Sequence, residues 1–170
     1  MVARSYIKNN LAFCAKKHAA ASSKLESIFY SKMAILELCG WVEQSFDELV
    51  ISCAKKNLFD ADRLKYLTKT VVGRTYGFEY EAHFSIMLSR LIGLIEFEKI
   101  EKKLDLSKLA KFKAALSSLK AERDREAHTY IKGTTKTLSA PSIYQNLYND
   151  IDAGLQEFET QIKTFRRKRS

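Results

Sequence analysis

A chain of 170 residues, 46% hydrophobic and 29% charged, is long enough to bury one core and too ordinary in balance to stay disordered. One proline and six glycines leave too little punctuation for a sandwich or barrel of many short strands, so an all-α fold is expected. A net charge of +9 disfavours a polycationic partner and favours a polyanion, nucleic acid first.

Part of that charge sits in the basic tail 166–170, "RRKRS", which reads equally well as a solubilising end. Cys14, Cys39 and Cys53 are odd in number and form no C-x-x-C pair. They suggest neither a disulfide framework nor a zinc site, and a reducing, cytoplasmic location is expected. "LAFCA" is too short an apolar run for a secretory leader, and "HFSIMLSRLIGLIEF" is shorter than a bilayer span and carries Arg90, so no membrane association is expected.

In chain order, residues 3–21 predict a first helix, an N-terminal extension occupying 1–22. Ser23 followed by Glu26 is a capping box and opens a second helix over 24–56. Its apolar residues Leu25, Phe29, Leu36, Cys39, Phe46, Leu49 and Cys53 predict one buried stripe, with Glu43, Asp47 and Glu48 off it. Asp60 is the expected N-cap of a shorter helix ending near "VVGRTYG", where Gly73 and Gly77 permit a turn. Residues 79–101 predict one helix, apolar nearly all round from Phe84 to Phe97 and so the candidate for the centre of the fold.

"DLSKL" caps a helix running to about 127, a polar loop occupies 131–139, and Ser139 with Pro141 restarts the chain. The last helix shows Tyr144, Leu147, Ile151, Leu155, Phe158, Ile162 and Phe165, a near-heptad seam. The expectation is a single domain over 1–170, an up-and-down bundle of five or six helices with the extra helix at its N-terminus.

The helix before the polar loop lays down Leu109, Phe112, Leu116 and Leu119, and the next position on that stripe is Arg123. A guanidinium cannot deprotonate, so on a packed face it needs an anion, either a carboxylate of the protein or a phosphate from outside. Asp124 and His128 are four apart, hence on one flank, where a carboxylate can fix an imidazole's tautomer. Histidine and arginine together can move protons and neutralise charge on a phosphorane during RNA cleavage by the neighbouring 2′-OH. The same residues also fit a plain helix end, with His128 and Lys120 answering the helix dipole and Asp124 paired to Lys120.

Arg123, Asp124, three residues and His128 resemble the R-[N/D/H]-x(3-5)-H signature of the HEPN superfamily. Arg123 to Tyr130 also resembles the R-x4-H-x-Y form of HEPN toxins paired with minimal nucleotidyltransferase antitoxins. "ELCGWVEQSFDELV" is similar, less specifically, to the acidic, aromatic helix of those domains. The resemblance implies a HEPN-like bundle and a metal-independent endoribonuclease, a toxin or anti-phage effector, acting as a homodimer whose two motifs face a shared cleft. It implies that Arg123 stabilises the scissile phosphate, His128 is the general acid or base and Asp124 positions them. Tyr130 would line the cleft or be modified by a nucleotidyltransferase-like antitoxin. Tyr130 and Lys132 are accordingly the substrate-binding or regulatory candidates, and neither metal nor cofactor is implied. The long N-terminal helix departs from the family's pattern.

Two further readings stay open: a non-catalytic helical module binding RNA, nucleotides or a protein partner, and a structural bundle assembled through the final heptad seam. His18 and His83 read as structural or surface residues. Tyr76, Phe78 and Tyr80 beside Arg74 read as a loop-end core ahead of a base-stacking platform. "GTTKT" lacks the ending of a P-loop, though it can contact an RNA backbone.

Overall fold

The Ser23 hydroxyl accepts from the Glu26 amide at 3.2 Å, as the capping signal requires. The reciprocal contact is displaced by one residue, because the Glu26 carboxylate takes the Ser22 amide at 2.9 Å. This junction separates α1 (Ser5–Ala19) from α2 (Lys24–Asn57). The computed structural model describes residues 2–127, 130–131 and 138–165. Among them the chain is all-α, a bundle of seven α-helices with two π-helical turns and no strand.

Asp60 caps α3 (Ala61–Tyr66) by accepting the Asp62 and Arg63 amides, and α3 widens into a π-helical turn (Leu67–Val72) that stops at Gly73. After a bend in which Gly77 takes φ +121°, a second π-helical turn (Tyr80–Ser85) leads into α4 (Ile86–Ile92). Then come α5 (Leu94–Glu101), α6 (Leu106–Ala127), whose first turn is capped by Asp105 accepting the Lys108 amide at 3.0 Å, and α7 (Pro141–Thr164). Ala140, with no side-chain bond, is the N-cap of α7 in place of the expected Ser139. Pro141 supplies the preset first turn.

The bundle is built on α2, α6 and α7, with α1 packed on α2 and α7. At its centre Phe46, Tyr80, Phe84, Phe112 and Phe158 form a ring cluster, Phe46 to Phe84 at 4.5 Å and Phe84 to Phe158 at 4.8 Å between centroids. The α6–α7 crossing is close because Gly154 faces the Phe112 ring: a Cβ there would lie 2.4 Å from Phe112 Cγ. The final seam is buried at Tyr144, Ile151, Leu155, Phe158 and Ile162, with Leu147 and Phe165 packed against the core. It packs within the chain, so it is not an assembly surface.

Two expectations fail. The helix over 79–101 is broken at Gly93, where φ is +87°, a conformation glycine adopts without steric cost. Its burial is one-sided instead of all round: Tyr80, Phe84, Met87, Leu88, Phe97 and Ile100 reach the core, whereas Ile86 and Ile95 are exposed and Leu94, next to the break, is 76% exposed. The α2 stripe is also split. Cys39, Phe46, Leu49 and Cys53 are buried, whereas Leu25, Phe29 and Leu36 are exposed. The core-facing residues of the N-terminal half are Ile28, Ile35 and Leu38. Both apolar rows are helical in period, and periodicity alone does not say which one finds a partner.

The N-terminal segment is tied down by charge. Arg4 donates from Nε to Asp152 at 2.5 Å and from Nη2 to Glu159 at 3.0 Å, and Glu159 also accepts the Val2 amide at 2.8 Å. The Trp41 indole donates to the Ala3 carbonyl at 2.7 Å. α1 is thus an integral layer, burying Ile7, Leu11 and Cys14. Among the described residues no helix is long and apolar enough to cross a membrane.

Candidate functional site

Arg123 continues the buried row Phe112, Leu116 and Leu119 of α6, and its side chain is 27% exposed. The anion the sequence demands is supplied from within. Nε and Nη2 donate to Asp124 Oδ1 at 3.1 and 3.0 Å, and Nη1 donates to Glu43 Oε1 of α2 at 3.4 Å. The guanidinium carbon lies 4.9 Å from the centroid of the buried Phe78 ring, a cation–π contact. The arginine is held on three sides, by its own helix, by α2 and by the bend before the second π-helical turn.

Asp124 also accepts from Lys120 Nζ at 2.8 Å, so the helix-end pairing is present. Hydrogen bonds from Lys120, then Arg123, hold the Asp124 carboxyl below its usual range, and the same bond raises Lys120. Lys120 lies 3.8 Å from Glu79 as well. The result is an alternating row of charges, Glu79, Lys120, Asp124, Arg123 and Glu43, along the edge where α6 meets α2.

One turn beyond Glu43, burial, with Glu43 as the smaller cause, pushes Asp47 up to about 6. Cys39 lies under the row. Burial drives its thiol up to about 12 against the pull of Arg123, so it is a packed group and not a nucleophile.

A second network fixes the other flank of the last turns of α6. The Tyr144 hydroxyl donates to Glu122 at 3.0 Å, Arg125 donates to Glu122 at 2.6 Å and to Glu126 at 3.1 Å, and Glu126 is fully buried. Clamped to α7 here and to α2 through Arg123, the helix end has a fixed rotation about its axis.

Of the sequence candidates, Arg123 and Asp124 are brought together, and Tyr130 is 77% exposed. His128 and Lys132 lie outside the described residues. Reading the sequence missed Glu43 and Phe78 as partners of Arg123. No local signal relates residue 43 or 78 to residue 123, since their approach is a product of helix packing. Of the three aromatics following Arg74, Phe78 and Tyr80 lie in the core as the loop-end reading expects, whereas Tyr76 stands in solvent against it. His83 accepts the Glu79 amide on Nδ1 at 3.0 Å and its ring fills the space beside Gly77, a structural role. Among the described residues no three His, Cys, Asp or Glu side chains gather as metal ligands would. Cys14, Cys39 and Cys53 are free, buried thiols.

Comparison with protein-family models, curated proteins and solved structures finds no match to this chain.

Proposed function

We propose that the chain is an endoribonuclease of the HEPN type, cutting RNA through attack of the neighbouring 2′-OH without a metal ion. In this reading His128 moves a proton between the 2′-hydroxyl or the leaving 5′-oxygen and solvent, and Arg123 neutralises charge growing on the phosphorane oxygens. Asp124 orients the pair. Tyr130 and Lys132 meet the substrate or a regulator, and a toxin or anti-phage role, two copies per active assembly and control by a nucleotidyltransferase-like antitoxin follow from the same resemblance.

The observation that supports it is the state of Arg123. A guanidinium stacked on Phe78 and oriented by Asp124, one turn from the helix exit, keeps a 3.4 Å contact to Glu43 that a phosphate can replace. The test is cleavage of cellular RNA under chelator. Wild type is expected to cut, and His128→Ala and Arg123→Ala to lose at least about a hundredfold in rate with unchanged helical content. Equal rates in all three would refute the reading.

One feature favours a second reading, a non-catalytic module that binds RNA, nucleotides or a protein. The charges of Arg123 are already answered by Glu43 and Asp124. Salt-sensitive RNA binding that survives loss of both Arg123 and His128, without turnover, would establish it.

A further inference from the structure

Two groups of cations differ in how they are answered. Lys99, Lys102, Lys108, Lys113, Lys120 and Arg123, in the α5–α6 segment, each lie against a carboxylate. Arg63, Lys65, Lys69 and Arg74 lie in α3, the π-helical turn that continues it and the bend after Gly73. All four are exposed, and none has a carboxylate partner among the described residues. From Ala61 to Phe78 the sequence sets one acid among them, Asp62.

Two aromatic rings stand among these charges. Tyr66 is 59% exposed and Tyr76 82%. Lys65 and Lys69 are four apart and so neighbours on one flank. Tyr66 lies beside them, on an element that turns Leu67, Val71 and Val72 to the core. Tyr76 is carried on a braced bend, where the Thr75 hydroxyl donates to the Val71 carbonyl at 2.6 Å and the Thr75 amide to the Val72 carbonyl at 2.9 Å. Gly77, at φ +121°, turns the backbone between Tyr76 in solvent and the buried Phe78. Phe78 is the ring on which Arg123 rests, at 4.9 Å. Two residues span at most about 7 Å, so Tyr76 borders the Arg123 site.

We propose that α3, the π-helical turn and the bend form a binding platform for single-stranded RNA flanking the site of cleavage. Tyr76 and Tyr66 stack unpaired bases, and Arg63, Lys65, Lys69 and Arg74 hold backbone phosphates. Three observations select that ligand. Cations left unanswered by the chain's own carboxylates attract a polyanion at no cost in broken ion pairs. Exposed rings among those cations offer faces to bases, and bases in a duplex, already stacked on one another, have no face to give back. The bend is also continuous with Arg123, so a strand whose phosphate meets Arg123 carries its next bases onto Tyr76 and toward Tyr66.

This inference rests on the proposed function in one respect, the choice of RNA as the strand. The platform itself makes and breaks no bond.

The test is an anisotropy titration of a labelled single-stranded RNA of about ten nucleotides, under chelator, with the full chain carrying His128→Ala so that the strand stays intact. That protein is expected to bind the single strand at least about tenfold more tightly than the same strand annealed to its complement. On this background Tyr66→Ala and Tyr76→Ala are each expected to weaken binding at least about fivefold. Tyr66→Phe and Tyr76→Phe are expected to retain it, because the ring and not the hydroxyl stacks. Lys65→Gln, Lys69→Gln and Arg74→Gln together are expected to flatten the log–log salt dependence by about 2. Circular dichroism is expected to stay unchanged, since all five sites are exposed.

Absence of binding, equal affinity for the duplex, or alanine variants that bind like their parent would each overturn the inference. A wild-type chain that cuts RNA while binding ignores these residues overturns this inference and leaves the nuclease reading standing. Binding that depends on them in a wild-type chain that never cuts does the reverse.

Discussion

At the scale of single residues, this chain places several charges where neighbours decide their protonation. Asp47 has a folded pKa above its ordinary value, because burial and then Glu43 disfavour the anion. The folded state therefore holds a proton that the unfolded state has released between the usual aspartate value and about 6. Stability falls as pH rises through that window and stays lower above it. Asp47→Asn is expected to remove this slope and to stabilise the protein at neutral pH by on the order of 1 kcal/mol, after screening by solvent. Urea titrations at pH 4 and pH 7.5 check it, and an unchanged difference between the two would count against it.

Glu159 has the opposite sign. Burial pushes it up, but the Val2 amide and Arg4 outweigh that and leave it lowered, so its contribution is complete above the ordinary glutamate range and disappears as pH falls through the lowered value. Arg4→Met leaves the buried Asp152 and Glu159 without their cation, and a loss of about 2–4 kcal/mol is expected in the same titrations.

At the scale of elements, two glycines make a controlled comparison. Gly154 lets α7 approach α6, and a methyl group there meets the Phe112 ring at 2.4–2.6 Å. Gly154→Ala must push the two helices apart and is expected to cost about 2–3 kcal/mol. At Gly93 the space around a new Cβ is open, and only the backbone at φ +87° resists. Gly93→Ala is expected to cost about 1–2 kcal/mol. Gly154→Ala is also expected to quench near-ultraviolet dichroism from the aromatic cluster, which Gly93→Ala leaves intact. The caps act on the same scale: Ser23, Asp60 and Asp105 each satisfy amides that their helices cannot.

At the scale of the whole molecule, α1 is held on α2 and α7 by apolar burial and by the Arg4 network. A chain beginning at residue 23 would uncover the faces of α2 and α7 that Ile7, Leu11 and Cys14 cover. It is expected to melt well below the full chain or to aggregate, as calorimetry on the two would show. The net charge of +9 also acts on this scale. Any binding of RNA to the full chain is expected to weaken steeply and linearly in log salt.

What the sequence by itself determined was local: the helical class, the caps at Ser23, Asp60 and Asp105, the buried seam of α7, and the arginine on a packed row that had to find an anion. These follow from propensity, periodicity and the chemistry of one side chain, and they need no knowledge of what lies across the core. The tertiary structure decided which of two apolar rows on α2 is buried, that the segment around Gly93 is buried on one side only, and that Glu43 and Phe78 receive Arg123. Each depends on which helix packs on which, and that is set by contacts between residues far apart in the chain, where no spacing rule reaches.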